Sequence, residues 1–140
     1  MRALGLDLGS KRIGVAVSDV TGTIASPLTV ITRSRSRRDD HQRIAALARE
    51  EGVEVIVVGM PYRLSGGDGP AASAARAEVT ALATVVGVPV ETHDERFTTV
   101  TATRALAEGG VRGPARRQVV DKVAAAVILQ SWLDAHRDPS

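Results

Sequence analysis

The opening part of the chain alternates apolar residues with polar or small ones at the two-residue period of β-strands. This pattern predicts an antiparallel meander of three strands, because turn-forming residues separate the apolar segments. Pro27 marks the third strand as an edge strand or as the site of a bulge, since proline cannot donate a hydrogen bond to a neighbouring strand. The strands are expected at about residues 3–8, 13–18 and 23–31.

The rest of the chain alternates predicted helices with two short apolar strands. An arginine-rich connector at residues 33–38 precedes a helix that we expect Asp39 or Asp40 to cap and Gly52 to end. Further strands are expected at residues 54–58 and 88–92, and further helices at about 70–86, 98–108 and 118–136. A meander followed by α/β crossovers predicts an α/β fold, with a mixed five-stranded sheet of three antiparallel and two parallel strands and helices on both faces.

Composition narrows the class of protein. The chain has 140 residues, of which 44% are hydrophobic and 24% charged, as expected for one globular domain over residues 1–137 and a short tail at 138–140. No apolar run approaches the ~20 residues that span a bilayer. The lack of cysteine excludes disulfides and thiolate metal sites, and it favours a cytoplasmic location. A net charge of +2 does not by itself indicate a nucleic-acid partner.

Asp7 is the residue of the first strand that points most clearly to chemistry. Three leucines share one face of this strand, whereas Asp7 stands between Gly5 and Gly9 on the other face. A carboxylate is costly to bury unless a cation or a donor meets it. The two glycines leave room for a phosphate, a metal or another segment of backbone. The alternative is an ordinary aspartate that faces water or pairs with a nearby arginine.

Two other acidic positions could join Asp7. Asp121 begins the apolar stripe of the last predicted helix, where it could instead interact with the helix dipole or pair with Arg117. Asp94 and Glu95 follow the last predicted strand. In an extended chain they point to opposite faces, so only one of them can face the same cleft as Asp7. The alternative for this pair is an exposed acidic turn.

Acids from the first strand, from the end of a later strand and from the last helix can gather two divalent cations. Mg²⁺ prefers hard oxygen ligands. Two such ions about 4 Å apart can activate a water and stabilise the leaving oxygen in phosphodiester hydrolysis. The sequence contains no P-loop or Gly-x-Ser-x-Gly motif, and His41, His93 and His136 lack metal-binding spacing. The pattern therefore favours a metal-dependent nuclease.

Four segments resemble the signature sequences of the YqgF/RuvX family, in the same order from Met1 to about Leu133. They are residues 4–19, 57–61, 93–99 and 120–130. The resemblance implies an RNase H-like fold similar to that of RuvC-type Holliday junction resolvases. It also implies a nuclease that matures the 5′ end of pre-16S rRNA in ribosomal precursor particles, or alternatively one that processes DNA junctions. The loop at residues 62–68 departs from the family pattern, so no role is carried over to it.

Carried over by position, the resemblance identifies Asp7, Glu95 and Asp121 as the catalytic residues and as the ligands of Mg²⁺ or Mn²⁺, as two ions. Asp94 would not bind the metal itself but would support the residues that do. Basic residues near these positions are candidates for nucleic-acid contacts, although solvated loop arginines are the alternative. They are Lys11, Arg12, Arg96, Arg112, Arg116 and Arg117. Because aromatic residues are only 2% of the chain, we expect contacts mainly to the backbone of structured RNA or branched DNA.

Two functions of other classes start from the same residues. The Asp-x-Gly of the first hairpin also resembles nucleotide-binding sugar kinases and actin-like ATPases, which share this core. A non-catalytic RNA-binding module could keep the fold without turnover. The sequence leaves open whether the protein is a monomer or a homodimer, and a symmetric DNA junction would require two sites.

Overall fold

The computed structural model describes residues 1–60, 69–94 and 114–136, with the backbone alone at residues 71 and 114–118. Within these ranges, no helix is both long and apolar enough to cross a membrane. The strands are β1 (Ala3–Leu8), β2 (Arg12–Ser18), β3 (Ala25–Thr32), β4 (Val55–Met60) and β5 (Val90–Asp94). The helices are α1 (Arg37–Glu51), α2 (Pro70–Ala83) and α3 (Pro114–Ala135).

The five strands form one mixed sheet in the order β3-β2-β1-β4-β5. Strands β1, β2 and β3 pair antiparallel, and β4 and β5 run parallel to β1, which confirms the predicted sheet. The register of β2 against β3 shifts between Val15 and Ala16, where β3 carries Pro27. Pro27 therefore lies on an edge strand and at an irregularity, because it cannot complete the ladder.

Helices cover both faces of the sheet, as predicted. The face with Leu4 and Leu6 packs in one core with residues of α1 and α2. The opposite face, which includes Ala3 and Ala16, packs against the apolar stripe of α3. This stripe comprises Ala124, Ala125, Ile128, Leu129, Trp132 and Leu133. The small side chains on β1 and β2 let α3 approach the sheet closely, and this helix brings Asp121 to the face that carries Asp7.

The start of α1 differs from the prediction. Ser36 is the N-cap, and its hydroxyl oxygen accepts a hydrogen bond of 3.1 Å from the backbone N–H of Asp39. Asp40 cannot serve as the cap because it is buried and accepts bonds from the backbone and side chain of Ser34. The predicted caps Asp39 and Asp40 are therefore wrong. Gly52 ends α1 in the left-handed conformation, at φ 64°, as predicted.

Two other boundaries affect the site. Helix α3 begins at Pro114, a favoured first position for proline, rather than at Gln118. Asp121 consequently lies two turns inside α3, beyond the range of the N-terminal dipole, so that interpretation of it is wrong. Strand β5 continues to Asp94, later than predicted. The helix predicted at 98–108 lies outside the described residues.

Candidate active site

Asp7 is buried within the sheet. It lies on the central strand β1, opposite Gly14 of β2, and is 6% exposed. The alternative in which Asp7 faces water is therefore excluded. Because an ionised carboxylate is costly to bury, this position is justified only if the carboxylate meets donors or a cation.

Asp121 reaches the same place from helix α3. A Cβ atom added to Gly14 would overlap the carbonyl oxygen of Asp121, so the backbone of α3 rests directly on this glycine. Asp7 and Asp121 thus adjoin Gly14 from two directions, one from the paired strand and one from the overlying helix. The structure brings these two predicted acids together.

Asp121 forms an ion pair with Arg12 at the start of β2. The Nε atom of Arg12 donates a hydrogen bond of 2.6 Å to Oδ2 of Asp121. Both side chains are partly exposed, so the pair lies at the edge of the site. A charged donor and a carboxylate at this distance form one of the stronger types of hydrogen bond. A predicted nucleic-acid contact and a predicted metal ligand are therefore immediate neighbours.

The glycines beside Asp7 do not provide space for a ligand. A Cβ atom at Gly5 would lie 2.7 Å from Cβ of Leu129, and one at Gly9 would lie 2.5 Å from the carbonyl oxygen of Arg12. A phosphate and a metal, two of the three occupants that the sequence allowed for this space, are therefore excluded beside Gly5 and Gly9. The third possibility applies, because other segments of the chain fill this space, namely α3 and the β1–β2 turn.

The β1–β2 turn is held from both sides. The backbone N–H of Gly9 donates to the carbonyl oxygens of Arg12 at 3.0 Å and Asp7 at 3.1 Å. The carbonyl oxygen of Gly9 accepts a 2.7 Å bond from Nε of Arg33. The turn displays Lys11 as an exposed side chain beside Asp7. The predicted phosphate contact Lys11 is thus accessible to a ligand.

Strand β5 places His93 and Asp94 on opposite faces of the sheet. His93 pairs with Gly59, and its Nε2 lies 2.8 Å from Oγ of Ser131 on α3, so His93 shares the face of Asp7. Asp94 is the next residue of the strand and therefore lies on the opposite face. Glu95 lies outside the described residues. Among the residues that are described, no three His, Asp or Glu side chains are placed to hold a metal together.

His93 is a site neighbour to which the sequence assigned no metal-binding role. Leu6 of β1 lies opposite Val58 of β4, so the next residues, Asp7 and Gly59, also lie side by side. His93 of β5 pairs with Gly59 and therefore lies two strands from Asp7, at the same level of the sheet. Burial lowers the pKa of His93, the charge of His136 lowers it further, and Asp94 acts in the opposite direction. This position of His93 depends on the register of β5 against β4, which a single sequence does not reveal.

The remaining predicted contacts cannot be placed. Arg96 and Arg112 lie outside the described residues. Arg116 and Arg117 lie on the first turns of α3, where only the backbone is described.

Comparison with known proteins identifies close relatives. A family model described as "RuvX: Holliday junction resolvase" matches residues 1–135. A protein of Myxococcus xanthus is 49% identical over 139 residues, which cover 99% of this chain and 91% of that protein. A protein of Symbiobacterium thermophilum is 50% identical over 135 residues, which cover 96% and 93%. Both relatives bear the name "Putative pre-16S rRNA nuclease".

The fold is also found in solved structures. The structure titled "T. thermophilus RuvC in complex with Holliday junction substrate" matches with a TM-score of 0.58 and 18% identity, over 97% of each chain. Another structure of RuvC from Thermus thermophilus matches with a TM-score of 0.57. At this identity the match establishes the shared RuvC-like fold.

Proposed function

This chain belongs to the RuvX family, and from that membership we propose that it is a metal-dependent endonuclease acting on structured RNA, at the 5′ end of pre-16S rRNA. The names of the curated relatives support the substrate. The convergence of Asp7 and Asp121 on Gly14 is the single observation that carries the site. These two acids belong to segments far apart in sequence, and only the fold unites them.

The residues present fit a hard divalent cation. Asp7 and Asp121 offer carboxylate oxygens from neighbouring elements, and such hard oxygen donors are the ligands that Mg²⁺ and Mn²⁺ prefer. We propose Glu95 as the third ligand, because the alternation of β5 assigns position 95 to the face of Asp7 if the chain stays extended. Asp94 lies on the opposite face of the sheet, which argues against the supporting role that the resemblance implies for it. Mg²⁺ or Mn²⁺, as two ions, would activate water and stabilise the leaving oxygen.

The basic residues next to the acids would hold the substrate. Lys11 is exposed in the turn after Asp7, and Arg12 lies against Asp121 at 2.6 Å. An arginine so placed can bind a phosphate oxygen while it keeps the carboxylate of Asp121 oriented. We propose that further basic residues contact the substrate backbone in the same way. They are Arg96, Arg112, Arg116 and Arg117.

A DNA junction is the second candidate substrate. The description of the family model, Holliday junction resolvase, favours it. A resolvase that cuts a symmetric junction requires two active sites, and therefore a dimer, whereas a nuclease that trims one RNA end does not. The substrate and the oligomeric state are thus linked.

A cleavage panel with metal removal tests the proposal. The protein would be incubated with an RNA containing the 5′ end of pre-16S rRNA and with a four-way DNA junction, in Mg²⁺, in Mn²⁺ and in excess chelator. We expect cleavage of the RNA in either metal and none in chelator, because the metal ions would supply both the activated water and the charge that stabilises the leaving oxygen. Restoring Mn²⁺ should restore cleavage.

The same panel distinguishes the alternatives. Preferential cutting of the junction by a protein that light scattering shows to be a dimer would replace RNA with DNA as the substrate. Tight RNA binding without cleavage of any substrate would instead support the non-catalytic module. Cleavage that is unchanged in chelator would contradict the metal-dependent mechanism.

A further inference from the structure

The connector between β3 and α1 lies beside the candidate active site. Strand β3 runs in the same direction as β1, so both end at the same edge of the sheet. The backbone N–H of Arg33 donates to the carbonyl oxygen of Lys11 at 2.9 Å, and its Nε donates to that of Gly9 at 2.7 Å. The connector is therefore bonded directly to the turn that follows Asp7.

Three residues of this connector are committed to holding it in place. Arg33 forms two hydrogen bonds of 2.8 Å with the carboxylate of Glu78 on α2. Ser34 donates to Asp40 from both its backbone and its side chain, and Ser36 caps α1. These contacts fix the backbone of the connector, so the residues between them leave the chain at defined points.

Three arginines of the connector have no such task. Arg35, Arg37 and Arg38 are exposed, and the described part of the chain gives none of them an ion-pair partner. Arg37 and Arg38 occupy the first turn of α1, where a positive charge opposes the helix dipole. Their placement therefore does not serve the stability of the helix. We name these three residues the connector surface.

The connector surface adjoins the turn that carries Lys11, at the start of a helix that packs on the face of the sheet opposite Asp7. Lys11 is exposed on the adjacent turn, and Asp39 is the exposed acid next to these cations along the chain, since Asp40 is buried. Arg35, Arg37, Arg38 and Lys11 thus place four exposed cations on two adjacent segments. Arg37 and Arg38 also line a cleft of about 560 Å³ between α1 and α2.

We propose that the connector surface binds backbone phosphates of the nucleic acid, outside the site of cleavage. The inference rests on the proposed function, since a substrate held at Asp7 would extend along this edge of the sheet. Guanidinium groups suit phosphate oxygens. Among the described residues, Trp132 is the aromatic side chain that could stack on a base, but it is only 2% exposed. The arginines would therefore bind the backbone of the substrate and not its bases. An acidic protein partner would be the other class of ligand for these cations.

Binding measured without cleavage tests this proposal. The probe is a fluorescently labelled RNA hairpin with a single-stranded 5′ extension, titrated with the Asp7→Asn protein at several salt concentrations. Each of Arg35→Gln, Arg37→Gln and Arg38→Gln should weaken binding about three- to tenfold and reduce the salt slope by about one. A hairpin of scrambled sequence should show the same losses, because phosphate contacts carry no sequence information.

The matched control is Arg49→Gln. It removes the same charge from an exposed position in the last turn of α1, at the far end of the helix from the connector. It should change the affinity less than twofold and leave the salt slope unchanged, because a distant exposed charge is screened. In the wild-type background, the connector variants should raise the protein concentration needed for half-maximal cleavage but leave the rate at saturation unchanged.

Failure of this proposal is distinguishable from failure of the proposed function. If the wild type cleaves RNA but the connector variants bind like Arg49→Gln, the connector surface is not a phosphate site and the nuclease assignment stands. If the Asp7→Asn protein binds no RNA and the wild type cleaves none, both are overturned, and the arginines would serve an acidic protein partner.

Discussion

Gly14 is the residue on which the candidate site depends. It pairs with Asp7 in the sheet and carries the backbone of Asp121 on its other side. No side chain could occupy this position without moving α3, since even one methyl group would overlap the Asp121 carbonyl oxygen. The glycine that allows α3 to pack thus lies between the backbones of the two acids.

Replacement of Gly14 should damage stability and the site together. We expect Gly14→Ala to lower the free energy of unfolding by about 3 kcal/mol, at the upper end of the usual cost of overpacking, because the added carbon meets rigid backbone. Urea denaturation followed by circular dichroism measures this change. Nuclease activity should fall by more than the loss of folded protein explains.

Gly87→Ala is the matched control for this variant. Gly87 has no atom within 4 Å of an added Cβ and no positive φ, so this change should be neutral or slightly stabilising. Equal effects of the two substitutions would show that α3 does not rest on Gly14.

At the scale of elements, a buried polar cluster joins the turn after β1 to α1 and α2, the two helices that pack on the Leu4 and Leu6 face of the sheet. Glu78 on α2 accepts two bonds from Arg33 and lies 2.8 Å from Nε2 of His41 on α1. Arg33 in turn holds the carbonyl oxygen of Gly9. The cluster therefore links α1, α2 and the turn after Asp7, and it limits the freedom of that turn to move relative to the helices.

Glu78→Gln should destabilise the fold and change its response to acid. Burial raises the pKa of Glu78, but the hydrogen bonds and charges of Arg33 and His41 outweigh it and bring the pKa below its ordinary value of 4.5. A lowered folded-state pKa stabilises the protein above pH 4.5, and this contribution is lost as the pH falls through the folded-state value.

The variant should therefore lose about 3 kcal/mol near neutral pH, where it leaves Arg33 without a charged partner, and its stability should fall less steeply in acid. Urea denaturation at a series of pH values measures both effects. Glu54→Gln, at an exposed position between α1 and β4, should change stability by less than about 0.5 kcal/mol. An acid profile of Glu78→Gln that parallels the wild type would contradict this role of the cluster.

The elements were predictable where the pattern is local, and less so where packing decides. Strand β1 falls where its alternating residues predicted it, and Gly52 ends α1 because its left-handed conformation is a local property. The cap of α1 was missed although it is local, because Ser36, Asp39 and Asp40 are all residue types that cap helices and only the backbone conformation selects Ser36. The Arg33–Glu78 pair was missed because it joins residues 45 apart in sequence.

At the scale of the whole molecule, the sheet topology explains how distant residues meet. Strand β1 lies at the centre of the sheet. Helix α3 crosses the face of the sheet that carries Asp7 and packs on β1, β2 and β3. The sequence predicted that Asp7 and Asp121 converge, and the structure brings them to one glycine. It could not predict that Arg12 pairs with Asp121 or that His93 faces α3, because both depend on how closely the helix approaches the sheet.

The central claim is that Asp7 and Asp121 form the active centre of a metal-dependent nuclease. The most direct measurement is the single-turnover rate of cleavage of the pre-16S RNA in Mg²⁺ by the wild type, Asp7→Asn and Asp121→Asn, with Asp134→Asn as the control on an exposed carboxylate of α3. We predict that each of the first two variants folds, binds the RNA and cleaves at least about 10³-fold more slowly, whereas the control cleaves like the wild type. If the folded Asp7→Asn protein cleaves the RNA at the wild-type rate, the claim is contradicted.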